Sequence, residues 1–117
     1  MVATLALMVD GVVAQQFELE GELTRIGRAA DNDIRIDDLA VSSYHAAIER
    51  VPNRYLEGVD DFFVRDLDST NGTLVNGRAI DRVQIQPRDE VRIGWNHFKL
   101  MDDSGQPMDR TAYIVPE

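Results

Sequence analysis

Residues 62–77 read Phe-Phe-Val-Arg-Asp-Leu-Asp-Ser-Thr-Asn-Gly-Thr-Leu-Val-Asn-Gly and contain two short runs that are typical of β-strands. The first run is Phe62 to Asp66 and the second is Thr73 to Val75; both contain β-branched or aromatic residues, which favour strands. The Asn-Gly pairs at 71–72 and 76–77 are strong turn signals, because both residues tolerate the positive φ angles of tight turns. The stretch therefore predicts strand, turn, strand and turn in close succession.

The rest of the chain repeats this organisation. Apolar residues mostly recur with period two in short runs, and no apolar stripe of helical period is sustained for three turns. About ten short strands in roughly 100 residues predict an all-β protein, either a sandwich or a barrel. The further predicted strands are Leu5–Val9, Val13–Leu19, Leu23–Gly27, Ile34–Ile36, His45–Arg50, Arg82–Ile85, Glu90–Ile93 and His97–Met101.

Turn-forming residues separate the predicted strands. Asp10-Gly11 fits a tight hairpin turn, and Gly94 to Asn96 is expected to close another. Pro52 to Asp61 is predicted to be a loop, because proline, asparagine and glycine interrupt the apolar pattern there.

The last predicted strand of the packed core ends at Met101. Residues 102–107 are Asp-Asp-Ser-Gly-Gln-Pro, a polar and turn-rich segment, and Thr111 to Val115 then forms one more apolar run. A chain of 117 residues is sized for a single hydrophobic core. We expect one domain over residues 1–101, followed by a tail or an extra edge strand over residues 102–117.

Composition and charge exclude several classes of function. The chain has no cysteine, so disulfides, thiolate nucleophiles and cysteine-ligated metals are absent. Twelve basic residues against 21 acidic ones give a formal net charge of −9, which repels a polyphosphate backbone and argues against nucleic acid as a partner. The same charge opposes any phosphorylated ligand. A phosphate site must therefore be built from a few short-range donors, since salt screens distant charges beyond about 8 Å.

The opening stretch, Met1 to Val9, gives no indication that the protein binds a membrane. It is apolar but has no preceding basic residue, and Asp10 interrupts it, so it fits neither a signal peptide nor a membrane span. A cytoplasmic protein is expected, unless a targeting segment has been removed.

Four motifs in the predicted loops resemble the forkhead-associated (FHA) family. The family pattern is Gly-Arg, then Ser-x-x-His about 14 residues later, then Ser-Thr-Asn-Gly-Thr, then a second Asn-Gly; an ordered set of this kind is far more specific than any one motif. The resemblance extends from about Leu23 to Leu100 and implies a two-sheet β-sandwich of about 10–11 short, mostly antiparallel strands. The matching residues are Gly27-Arg28, Ser42 with His45, Ser69 to Thr73, and Asn76-Gly77.

The resemblance implies a module that binds phosphothreonine-containing segments of a partner in Ser/Thr kinase signalling. Arg28 offers a planar fork of charged donors that suits phosphate, and the resemblance assigns the hydroxyl of Ser42 to the same phosphate. Ser43 stands where relatives often carry a charged residue or Asn, so the affinity for phosphate is expected to be weaker. The resemblance further implies that Thr70 helps to shape the phosphate pocket and that Asn71 holds the peptide main chain, for which an amide that both donates and accepts is suited.

Other residues of the motifs are expected to support the binding loops. Gly27 is predicted to let the backbone turn so that the neighbouring arginine faces outward. His45 is assigned to a scaffold role, in which its imidazole binds loop backbone rather than acting with a serine in catalysis. Gly72 and the pair Asn76-Gly77 are expected to be structural.

Several alternatives accompany this interpretation. The same fold could pair with a protein without phosphate, for which Ser43 and the net charge are the motivation. Thr111, once phosphorylated, could fold back into the pocket of its own chain, within a reach of about 33 Å. No cofactor, metal site or catalytic residue set is predicted: Asp31 to Asp38 and Asp66 to Asn71 lack the glycine and glutamate spacing of calcium loops. Selectivity beside the phosphothreonine is expected to depend on loops such as Pro52 to Asp61.

Overall fold

The computed structural model of the chain describes residues 3–102, and these residues form eleven strands and no helix. No helix in this part of the chain is long and apolar enough to cross a membrane. The strands are β1 Ala3–Val9, β2 Val12–Glu18, β3 Leu23–Gly27, β4 Ile34–Arg35, β5 Ala46–Pro52, β6 Asp60–Asp66, β7 Thr73–Val75, β8 Arg78–Ile80, β9 Arg82–Ile85, β10 Val91–Ile93 and β11 Asn96–Asp102.

The strands form two sheets. One has six strands in the order β2-β1-β11-β10-β7-β8, and the other has five in the order β4-β3-β5-β6-β9. All pairs are antiparallel except β3 with β4, which is parallel. The prediction of an all-β, two-sheet sandwich with mostly antiparallel strands is confirmed.

The core lies between the two sheets and follows from the period-two pattern. Phe98 and Leu5 come from the six-stranded sheet, and Ile26, Ile48 and Val64 from the five-stranded sheet; each is at most 1% exposed. Successive residues of a strand point to opposite faces, so alternate residues such as Arg65 lie on the outer surface.

Three predicted strands, Leu23–Gly27, Thr73–Val75 and Arg82–Ile85, have the predicted bounds, and the other seven differ by one or two residues at one or both ends. Two regions differ further. Strand β8 was not predicted; it is three residues long and pairs with β7 across the turn at Asn76-Gly77, whose φ angles are 53° and 84°. The loop predicted over Pro52 to Asp61 is shorter. Pro52 pairs with Asp60 in the ladder, and the Asn53 N–H donates to the Val59 carbonyl at 2.8 Å, so the strands continue up to this closure.

The strand directions divide the connections between two ends of the sandwich. The Arg28 end holds the turns at 10–11, 28–33, 36–45, 67–72 and 94–95. The Arg50 end holds those at 19–22, 53–59, 76–77 and 86–90. The predicted segment from residue 103 onward, including Thr111 to Val115, lies outside the described residues.

Candidate functional site

Arg28 immediately follows β3 and is fixed through its backbone to the next loop. Its N–H donates to the Ser42 carbonyl at 3.0 Å, and the Ala29 N–H donates to the Ser43 carbonyl at 3.1 Å. The Nε of Arg35 donates to the Arg28 carbonyl at 3.1 Å. Within residues 3–102, the half-buried Arg28 guanidinium makes no hydrogen bond or ion pair, so its donors remain available to a ligand.

His45 links two loops of the Arg28 end. The imidazole is fully buried, and its Nδ1 accepts the Ser42 N–H at 3.0 Å. Since Nδ1 accepts, the ring carries its proton on Nε2, which lies 2.9 Å from the Gly72 carbonyl oxygen and donates to it. Both ring nitrogens are therefore engaged by backbone groups, and the ring is not arranged as a base for the Ser42 hydroxyl.

Thr70 and Asn71 meet the Ser42 segment directly. The Thr70 N–H donates to the Ser42 Oγ at 2.9 Å, and the Asn71 side-chain amide donates to the Ala40 carbonyl at 2.9 Å. Both Thr70 and Asn71 are exposed, as is Ser43. The structure thus brings together the segments of all five predicted ligand residues, which come from three separate connections.

Asp66 organises the loop that presents Thr70 and Asn71, a role that the sequence patterns did not reveal. Its carboxylate accepts hydrogen bonds from the Ser69 N–H at 3.1 Å, the Ser69 hydroxyl at 2.6 Å and the Thr73 hydroxyl at 2.7 Å. Burial opposes ionisation of this carboxyl, but the hydrogen bonds from Ser69 and Thr73 prevail and lower the pKa of Asp66. The cluster of Asp and Ser around a turn could have suggested this arrangement.

Gly27 is required for close packing rather than for a turn. The expectation that it lets the backbone turn was wrong. It is the last residue of β3, and a Cβ at this position would overlap the Ser43 carbonyl oxygen. Asn32, which was not predicted, fills the same junction: its side-chain amide donates to the carbonyls of Ala29 at 2.9 Å and Ser43 at 2.7 Å. The turn after β3 and the Ser42 loop are therefore in direct contact.

The remaining residues that were predicted to support the binding loops, Gly72 and Asn76-Gly77, lie at opposite ends of the sandwich. Gly72 lies in the loop that carries Thr70 and Asn71; its φ is 84°, which favours glycine, and its N–H donates to the Ser69 hydroxyl at 2.9 Å. Asn76-Gly77 is a structural turn, but it closes β7 and β8 at the Arg50 end, where the Asn76 amide donates to Asp89. The structure therefore does not bring this pair to the binding loops, which corrects its assignment as their support.

The loop over Pro52 to Asp61 also lies away from the predicted ligand residues. Strand β5 runs from Ala46, beside the site, to Pro52, so the connection to β6 is at the Arg50 end. This placement corrects the expectation that this loop selects residues beside the phosphothreonine. Among residues 3–102, no group of three or more His, Cys, Asp or Glu side chains is arranged to hold a metal ion.

The fold and the four loop motifs are those of an FHA domain. The FHA domain family profile matches residues 24–94, which is more than half of the chain. The chain therefore belongs to the FHA domain family, whose members are interaction modules rather than enzymes.

A curated relative supports this assignment. The chain is 39% identical over 97 residues to the glycogen accumulation regulator GarA of Mycolicibacterium smegmatis; the match covers 77% of this chain and 56% of GarA. The chain spans about half the length of the curated relatives it matches.

Solved FHA domains have the same fold. One, studied for phosphothreonine-dependent FHA domain interactions, superimposes with a TM-score of 0.70 at 30% identity, covering 86% of this chain and 95% of that one. Mycobacterium tuberculosis EmbR, solved with a low-affinity phosphopeptide, gives a TM-score of 0.70 at 32% identity, covering 85% of this chain and 24% of EmbR.

Proposed function

We propose that this domain binds phosphothreonine-containing segments of a partner protein phosphorylated by a Ser/Thr kinase. The phosphate would be held by Arg28 and Ser42, with Ser43 and Thr70 completing the pocket and Asn71 holding the peptide main chain. The observation that carries the proposal is that Arg28, whose guanidinium has no partner among residues 3–102, follows β3 at the point where three hydrogen-bonded loops meet. The phosphothreonine dependence of a similar FHA domain supports it.

The local donors of the site can outweigh the repulsion that the net charge of −9 exerts on a phosphate. A phosphate dianion in contact with Arg28 gains a charge-assisted and potentially bidentate hydrogen bond, whereas much of the acidic surface is screened by salt. The hydroxyl of Ser42 accepts the Thr70 N–H, so its own proton stays available for donation to the phosphate. One arginine and neutral donors can therefore form a local anion site on an acidic domain.

Asn71 is placed to recognise a peptide main chain. Its amide nitrogen donates to the Ala40 carbonyl, which fixes the orientation of the side chain. No partner of its Oδ1 is found within residues 3–102, so this oxygen can accept an N–H from a bound segment. Such a contact would be independent of the side chains of the ligand.

Isothermal titration tests the proposal with one peptide in phosphothreonine, phosphoserine and unphosphorylated forms. We expect the phosphothreonine form to bind and the unphosphorylated form to bind at least about tenfold more weakly. Arg28→Ala should remove this difference, because a hydrogen bond to a charged group contributes about 1.5–3 kcal/mol. Arg88→Ala is the control, because Arg88 is exposed at the Arg50 end. Equal binding of all forms, or full binding by Arg28→Ala, would instead favour a phosphate-independent assembly module.

The domain would catalyse no reaction and would not bind nucleic acid, since its acidic charge disfavours a polyphosphate ligand. A cytoplasmic location fits a partner that is phosphorylated by a kinase using ATP. Whether Thr111 of the chain itself can serve as the phosphorylated segment is tested by phosphorylating the chain and measuring its affinity for the external peptide, which would fall if the segment competed.

A further inference from the structure

A groove of about 490 Å³ lies on the side of the sandwich where β2 and β4 are the edge strands of their sheets. Strand β4 has two residues and pairs only with the last two residues of β3, so most of β3 has no neighbouring strand on this side among residues 3–102. The groove lies between β2 and this part of β3. Its principal lining residues are Phe17, Glu18, Glu20, Leu23, Thr24 and Asp33.

Strand β2 borders this groove and is the longest edge strand that residues 3–102 form, with seven residues. No strand in this part of the chain pairs with its outer side. The Leu19 N–H donates to the Ala3 carbonyl of β1 at 2.9 Å, and N–H groups alternate in direction along a strand, so the N–H of Gln16 points away from β1. A long edge of this kind can pair with a further strand.

The chain leaves the described residues close to this edge. Strand β11 ends at Asp102, which lies opposite Ala3 of β1 at the Arg50 end, and β2 is the next strand after β1. A strand added outside β2 would lie three strand spacings from β11, or about 14 Å. The eight residues 103–110 can span about 26 Å, so the segment that follows them can reach the edge.

We propose that residues 111–115, Thr-Ala-Tyr-Ile-Val, add to β2 as an antiparallel strand and cover the groove. A segment that returns from the Arg50 end runs opposite to β2, which ends there. Four of its five residues are β-branched or aromatic, and their side chains would cover Phe17 and Leu23, of which the latter is 44% exposed. The pairing would also keep Thr111 at the Arg50 end, away from Arg28.

The charges around the two edges of the six-stranded sheet favour β2 over β8. Carboxylates of Glu18, Glu20 and Asp33 line the groove, and no lysine or arginine of residues 3–102 does. Arg110 is the one basic residue of 103–117 and immediately precedes the proposed strand, so it would enter beside Glu18 and Glu20. Strand β8 begins at the same end of the sandwich with Arg78, which would repel it.

Cysteine pairs test the proposal in the full chain, which has no cysteine of its own. Gln16→Cys, at an exposed residue of β2, is combined in turn with Thr111→Cys, Ala112→Cys, Tyr113→Cys, Ile114→Cys and Val115→Cys. We expect a disulfide within one chain at one position, or at two positions that lie two residues apart, at least about tenfold faster than at the others, because a disulfide needs Cα atoms about 4.4–6.8 Å apart. Ala79→Cys, at an exposed residue of β8, is the matched control and should show no preferred position.

Amide hydrogen exchange at Gln16 provides a second measurement. Ala112→Pro and Tyr113→Pro each remove one N–H, and adjacent N–H groups point to opposite sides of a strand, so one of the two variants loses a donor that faces β2. That variant should exchange the Gln16 N–H at least about tenfold faster than the wild-type protein. Gln106→Pro changes a residue before the proposed strand and should leave the exchange unchanged.

The outcomes separate the proposed strand from its alternatives. Disulfides formed between two chains in dilute protein would identify a second copy as the source of the strand and overturn the proposal. Equal rates at all five positions, or the same pattern with Ala79→Cys, would also overturn it. If a cysteine variant lacks the thermal transition of the wild-type protein, the exchange at Gln16 decides: unchanged exchange in both Ala112→Pro and Tyr113→Pro would show that residues 111–115 do not pair with β2.

Discussion

Arg28 and Arg50 are arginines at opposite ends of the same five-stranded sheet, and their surroundings differ sharply. The Arg50 guanidinium donates to the Glu20 carbonyl at 2.7 Å and to the Asp60 carboxylate at 3.1 Å. Its Nε donates to the Gly21 carbonyl at 3.3 Å. The Arg28 guanidinium has no such partner among residues 3–102, although its backbone is firmly held. One arginine closes a loop of its own chain, whereas the guanidinium donors of the other have no partner in this part of the chain.

The difference shows how one sandwich separates stability from binding. At the Arg28 end, the loops are joined by backbone hydrogen bonds and by the buried side chains of His45 and Asn32. The side chains of Ser42 and Asn71 each contribute one further bond, while the Arg28 guanidinium makes none within residues 3–102. At the Arg50 end, the side chains themselves close the loops, as Asn53 does by accepting the N–H groups of Tyr55 and Leu56. Exposed donors on a rigid support are the arrangement that a preorganised binding site requires.

Gly27→Ala should have the largest effect, because it breaks the junction on which the Arg28 end depends. The added Cβ would overlap the Ser43 carbonyl oxygen, a backbone atom that cannot rotate away. We expect a loss of about 1–3 kcal/mol in the free energy of unfolding and at least about tenfold weaker phosphopeptide binding. Urea unfolding and titration calorimetry measure the two effects.

Gly77→Ala is the matched control at the Arg50 end. Gly77 has a φ of 84° and open space around its Cα, so alanine there costs about 1–2 kcal/mol through backbone strain alone. Its phosphopeptide affinity should equal that of the wild-type protein. If Gly27→Ala bound as tightly as Gly77→Ala, the contact between Gly27 and Ser43 would have no part in shaping the site.

The parts of the fold that depend on a few neighbouring residues could be predicted from the sequence. The all-β class and most strands were predictable, because period-two apolar runs and Asn-Gly pairs act over a few residues, as at Thr73–Val75. The proposed ligand residues were predicted through the resemblance of four motifs to a family. Strand β8 was missed because Arg-Ala-Ile contains a single β-branched residue, whereas Thr-Leu-Val of β7 contains two.

Contacts between segments that are distant in the sequence could not be predicted. Asn32 reaches the Ser43 carbonyl, and Gly27 packs on the same residue, yet neither contact leaves a local pattern. For the same reason the loop after Pro52 was assigned to ligand selection, although strand direction places it at the opposite end.

Asp66→Asn should have the second largest effect on the free energy of unfolding, and the size of this effect depends on pH. Asparagine places a donor amide against the Ser69 N–H, so we expect a loss of about 2 kcal/mol in the free energy of unfolding at neutral pH. Burial opposes ionisation, but hydrogen bonds from Ser69 and Thr73 lower the pKa of Asp66 below the unfolded value of about 3.9. The carboxylate therefore stabilises the fold fully above that value and loses its contribution as the pH falls through the lower, folded-state pKa.

Urea unfolding at neutral pH and at a series of acidic pH values tests this expectation. The difference between the wild-type protein and Asp66→Asn should shrink as the medium becomes acidic. Asp68→Asn is the control, because it removes one charge from the same loop at an exposed residue whose carboxylate accepts no hydrogen bond within residues 3–102. A difference that stayed constant with pH would show that the ionised carboxylate of Asp66 is not what holds the loop.

Arg50→Ala should have the smallest effect and tests the comparison of the two arginines most directly. The side chain is 34% exposed, so water can replace part of its hydrogen bonding, and we expect a loss of only about 1 kcal/mol in the free energy of unfolding. Phosphopeptide affinity should not change. Arg28→Ala should show the reverse, with an unchanged thermal transition and lost binding, since its guanidinium has no partner in the described part of the chain. If both variants lost stability equally, the Arg28 guanidinium would be serving the fold, and its assignment as the phosphate ligand would fail.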